Sequence, residues 1–97
     1  MPQPRERRYE VQLPVQFAAG DGVARNISTS GIYFETDSPL SAGAALNFTL
    51  VLEESPAGPM RMQCEARVVR VERKDGKVGI GAQIINMKLE RADAKTA

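Results

Sequence analysis

The stretch MRMQCEARVVRVERKDGKVGIGAQI, residues 60–84, decides the fold. Met60, Met62, Cys64, Ala66 and Val68 alternate with Arg61, Gln63, Glu65 and Arg67, the period of a half-buried strand. The phase then slips by one residue, because Val69 and Val71 are apolar and Arg70 between them is not. A one-residue slip inside a long strand is the mark of a β-bulge, and bulges bend strands around barrels. Asp75-Gly76 carries the signature of a two-residue hairpin turn. Val78, Ile80, Ala82 and Ile84 then resume the alternation, with Gly79 and Gly81 on the opposite face. One long bent strand, one tight turn and a returning strand therefore open an antiparallel β structure.

Working outward, Leu46, Phe48, Leu50 and Leu52 alternate with Asn47, Thr49 and Val51, and the loop 53–59 separates them from Met60. Ile32, Phe34 and Thr36 form a shorter strand before the loop 37–43, and Val23 to Ile27 another, broken from it by Ser28-Thr29-Ser30-Gly31. Val11, Leu13, Val15 and Phe17 alternate ahead of the turn signal at 18–22, and Pro14 suits an edge or a ladder end. Six short strands with turn signals between them indicate an all-β antiparallel barrel or sandwich, and a barrel deals better with strand edges. The expected organisation is a flexible arginine-containing arm over 1–10, a six-stranded barrel over 11–88 and a polar C-terminal tail over 89–97. From Asn86 onward propensity favours a short C-terminal helix, for which only Met87 and Leu89 could act as anchors.

Composition narrows the function. Lys+Arg is 13 and Asp+Glu is 12, a net charge of +1, so no broad basic field exists to coat a polyanion and no DNA or RNA partner is expected. Histidine is absent, which excludes Ser-His-Asp and Cys-His catalysis and histidine metal ligands. Cys64 is the single cysteine, so neither an intrachain disulfide nor a cysteine zinc cluster can form. It falls in the inward phase of its strand and reads as a buried thiol. The acidic residues are scattered, and no enzyme, resident cofactor or metal is expected. No apolar run approaches the roughly 20 residues of a spanning helix, and MPQPRERRYE lacks an apolar leader segment. The expectation is a cytoplasmic domain without membrane insertion.

Two segments could carry chemistry. Arg5, Arg7 and Arg8 crowd the arm, and Asn26-Ile27-Ser28-Thr29-Ser30-Gly31 lies at a strand-to-strand corner. Arginine offers bidentate forks for phosphate and a flat face that stacks on a purine. The corner offers short polar side chains, backbone N–H groups, and a glycine free to take positive φ. Together they suit a small, flat, doubly charged anion. Such residues most often make only a turn and a solvated arm, so the residues alone leave the function open. Tyr33, out of phase with Ile32 and Phe34, would be exposed beside the corner.

At this point the chain resembles the PilZ domain, a bacterial receptor for the second messenger cyclic dimeric GMP (c-di-GMP). The family motif D/N-x-S-x-x-G is met by Asn26, Ser28 and Gly31, followed by Ile32-Tyr33-Phe34. LPVQF upstream, VVRVE at the end of the long strand and GIGAQI near the end extend the resemblance over roughly residues 5–88. The other family motif is R-x-x-x-R in the arm. Here Arg8 takes the place of the second arginine, and Arg5 lies one position from the first, giving R-x-x-R with Arg7 between. The resemblance implies a non-catalytic c-di-GMP receptor. Arg8 would contact phosphate or guanine, with Arg5 or Arg7 as the second arginine. Asn26 and Ser28 would face the guanine edge, and Gly31 would shape the turn. Ordering of the arm would be read by an effector protein. The altered spacing leaves an alternative, a PilZ-like adaptor that no longer binds the nucleotide. An oligonucleotide-binding barrel is disfavoured by the absence of Trp and the near-neutral charge.

Overall fold

Inward and outward alternation, repeated in six segments, closes on itself. A computed structural model of the chain describes residues 8–38, 40–52 and 58–91. The strands are β1 Tyr9–Phe17, β2 Gly20–Ile27, β3 Gly31–Thr36, β4 Ala45–Leu52, β5 Met60–Lys74 and β6 Lys77–Arg91. They form a closed antiparallel barrel in the order β1-β2-β3-β6-β5-β4. The six-stranded barrel expected from the sequence is the observed fold. Two elements start earlier than the periodicity suggested. Tyr9 and Glu10, expected in the arm, already pair with Ile27 and Asn26, and β2 begins at Gly20 opposite Phe17.

The core follows the alternation. Val15, Ala24, Ile32, Phe34, Leu46, Phe48, Leu50, Cys64, Ala66, Val68, Ile80, Ala82 and Ile84 are buried. Phe34 lies between Phe17 and Phe48, with ring centroids 5.9 and 6.1 Å away, both tilted as aromatic quadrupoles prefer. The phase slip is a bulge. Val68 pairs with Ala82 and Arg70 with Gly81, leaving Val69 unopposed and exposed. Three further irregularities were not anticipated, one of them in β1 between Glu10 and Leu13. Ile85 is the extra residue between the pairs Glu65–Asn86 and Ala66–Ile84. Arg25 is the extra residue between Ala24–Phe34 and Asn26–Tyr33.

The expected C-terminal helix does not form over residues 86–91. These residues continue β6 against β5, from Asn86–Glu65 to Arg91–Met60. A six-residue helix makes few internal bonds and is marginal alone, whereas β5 offers a partner along its length. Met87 and Leu89, the only anchors available to a helix, instead sit opposite Cys64 and Met62. The rest of the tail lies outside the described residues.

Candidate functional site

The corner between β2 and β3 is held by its own backbone. Ser28 N–H donates to the Gly31 carbonyl at 2.8 Å, and the Ser28 hydroxyl reaches the same oxygen at 3.5 Å. Ile84 N–H of β6 donates to the Ser30 carbonyl at 2.8 Å, fixing the corner to the neighbouring strand. Ser28 is buried. Gly31 is the first residue of β3. The positive-φ glycines among the described residues are Gly43, Gly58 and Gly76, so Gly31 does not use the left-handed freedom expected of it. A Cβ there would lie 3.5 Å from the Ala82 carbonyl oxygen, 3.7 Å from Ser28 Oγ and 3.9 Å from Arg8 Nη1. The missing side chain leaves the space between the arginine and the barrel wall open.

Arg8 meets the corner directly. Its Nη1 donates to Ser28 Oγ at 3.5 Å. Asn26 follows the Arg25 bulge directly in β2, and bulges of this kind re-aim side chains next to functional sites. Its Oδ1 is buried and has no hydrogen-bond partner, an acceptor taken from water without compensation. The structure thus brings Arg8, Ser28 and Gly31 together, while Asn26 stands two residues before Ser28 on β2, paired with Glu10 and Tyr33. Arg5 and Arg7 lie outside the described residues.

Sequence reasoning missed Arg70. A cleft of about 410 Å³ runs between Arg8, Ser30, Gly31, Arg70, Gly81 and Gln83. The Val69 bulge places Arg70 opposite Gly81, and its side chain lies across that glycine, with Nε 3.8 Å from where a Cβ would stand. Glu72 holds the guanidinium at 3.2 Å. Two guanidiniums therefore border one cleft, a setting for an anion. The available signal was the phase slip together with the Gly79/Gly81 alternation. Arg25 is likewise paired, with Glu35 at 3.1 Å, but does not border this cleft.

Tyr33 departs from its expected exposure. Its ring covers Gly79, where a Cβ would overlap it, and Lys74 Nζ stands 5.9 Å from the ring centroid. Its hydroxyl oxygen is buried without a hydrogen-bond partner. Tyr33 is thus a packing residue on the outer face. A larger cleft, about 540 Å³, lies away from the corner between Gln16, Asn47, Thr49, Gln63, Glu65 and Lys88. Cys64 is buried, and desolvation pushes its pKa up to about 11. No three carboxylate or thiol groups gather as a metal site among the described residues. No helix among them is long and apolar enough to cross a membrane.

No curated protein matches the chain significantly. A solved structure, the inhibitor of motility MotI/DgrA of Bacillus subtilis, superposes with a TM-score of 0.75 at 21% identity. The match covers 91% of this chain and 45% of that one, so the chain spans under half the length of its structural neighbour. The family model of the PilZ domain matches residues 2–94. With that match over nearly its whole length, the chain belongs to the PilZ domain family.

Proposed function

We propose that the chain is a non-catalytic receptor for c-di-GMP, bound at the β2–β3 corner beneath the N-terminal arm. The observation that carries the reading is the meeting of Arg8 with the corner, Nη1 to Ser28 Oγ at 3.5 Å, over an open Gly31. Arg8 and Arg70 supply positive charge on either side of the cleft for a phosphate or the face of a guanine. The unpartnered Asn26 Oδ1 suits the N–H donors of a guanine edge. Arg5 and Arg7 are the candidates for the second arm arginine. Because Arg8 directly precedes β1, a ligand gripped by the arm would be fastened to the barrel through the Tyr9–Ile27 pair. The contacts would have to exceed the entropy lost by the arm. An effector protein would then read the ordered surface. A receptor for this messenger would act in the bacterial cytoplasm.

Titration calorimetry with c-di-GMP tests the proposal. The expected result is micromolar or tighter binding, on the order of −8 kcal/mol, that weakens with salt. Arg8→Ala and Ser28→Ala should each weaken it by about tenfold or more, and Arg70→Ala by a smaller factor. Lys77→Ala, in the distant hairpin, should leave it unchanged. Absence of heat at about 0.1 mM protein would reject the receptor reading. The second reading, a protein-binding adaptor, is favoured by the R-x-x-R spacing of Arg5 and Arg8, one residue short of the family motif. It predicts partner binding that persists in Arg8→Ala and does not respond to nucleotide.

A further inference from the structure

We infer that the C-terminal half of β6 is a self-association edge, on which two copies of this chain pair antiparallel about a two-fold axis at Leu89. The inference is independent of the nucleotide site. On its β3 side, β6 pairs from Val78–Thr36 to Gln83–Gly31, and Ile84 N–H then donates to the Ser30 carbonyl. Beyond that point residues 85–91 pair with β5 alone among the described residues. Among the described residues no strand pairs with their other edge, a row of backbone donors and acceptors about 20 Å long. Ile85, Met87 and Leu89 along it are 62%, 41% and 58% exposed. A long strand edge with exposed apolar side chains is a template for another strand.

The charges select a second copy as the occupant, and they select the register. With Leu89 opposite its counterpart, Lys88 faces Glu90 of the second copy and Glu90 faces its Lys88, so the opposite-charge pair forms twice by symmetry. Lys88 and Glu90 share the outer face of β6, where Gln63 Nε2 donates to Glu90 at 3.0 Å. Met87 then faces Arg91, whose aliphatic stem can cover it. A register centred on Met87 instead would set Glu90 and Arg91 of the second copy opposite Ile84 and Gln83. That position is already occupied by Ser30 and Gly31. In the Leu89-centred pairing Arg91 of the second copy reaches only Met87, three residues short of the Ile84–Ser30 bond, and the charges match.

Charge exchange tests this on the full chain by sedimentation velocity at about 0.1 mM. The wild type should sediment as a dimer. Lys88→Glu sets two carboxylates against each other at both symmetric pairs, and Glu90→Lys sets two ammonium groups there. Each variant should therefore raise the dimer dissociation constant about tenfold or more. An equimolar mixture of the two variants should restore the dimer, because every opposed pair is then of opposite sign. Unchanged thermal melts of the variants would show that the barrel is intact. A monomeric wild type would overturn the inference. So would single variants that dimerise like wild type, or a mixture that stays monomeric.

Discussion

The Cys64 thiol illustrates how burial alone sets a residue's chemistry. No charged neighbour is needed to push its pKa from 9.0 up to about 11, since desolvation penalises the thiolate. At pH 8 the native protein should react with a thiol reagent far more slowly than the urea-unfolded chain, and equal rates would contradict the buried placement. Stability follows with a defined sign. The folded pKa is raised, so the contribution is complete below pH 9 and falls away as pH rises toward 11, where the unfolded thiol has ionised and the folded one has not. Urea midpoints of wild type should decline over that window relative to Cys64→Ala, by no more than about 2 kcal/mol in stability. Parallel curves would remove the effect. The inward phase of Cys64 was readable from its strand, as were Asn26, Ser28 and Gly31 from their spacing. Arg70 was not, because its place depends on which residue of β6 the bulged strand sets opposite it. The packing of the Tyr33 ring over Gly79 was equally hidden, since it depends on another strand.

Among the elements, the β5–β6 hairpin is the most completely specified by local sequence. Asp75 has φ 45° and Gly76 φ 80°, the pair of left-handed residues that a type I′ turn requires. No heavy atom lies within 4 Å of where a Cβ on Gly76 would stand, so Gly76→Ala isolates the backbone cost. It should lower stability by about 1 kcal/mol, read as a lower urea midpoint with an unchanged slope. A neutral result would mean that the turn relaxes to another type. The bulge at Val69 was legible because it shifts the apolar phase within one strand. The bulge at Arg25 was less so: Ala24 is buried and Ile27 packs against the core, but only two inward positions flank the slip. The helix expected after Asn86 failed for a related reason. Propensity weighs a segment against water, whereas this segment has β5 beside it along its whole length.

At the scale of the molecule, the barrel is closed unevenly. β1 meets β4 only through Val15–Phe17 against Phe48–Leu50, while β5 and β6 pair from Met60–Arg91 to Lys74–Lys77. The β1–β4 seam is therefore where the barrel should open first. Amide hydrogen exchange should be faster for the seam, around Gln16 and Thr49, than for the buried stretch of β5–β6 around Val68 and Ile80. Uniform protection across the two would exclude a preferred opening. Such an opening would loosen β1, which carries Arg8 to the corner.

The sequence by itself determined the number of strands, their inward faces, the Asp75-Gly76 turn and the Asn26-x-Ser28-x-x-Gly31 corner. All of these are written in residues near one another in the chain, through period-two alternation and the special needs of turns. Only the tertiary structure decided that β1 closes on β4, that β6 runs on to Arg91, and that Arg70 stands across a cleft from Arg8. Those facts join strands distant in sequence, and their register is set by bulges and barrel closure, which no local pattern encodes.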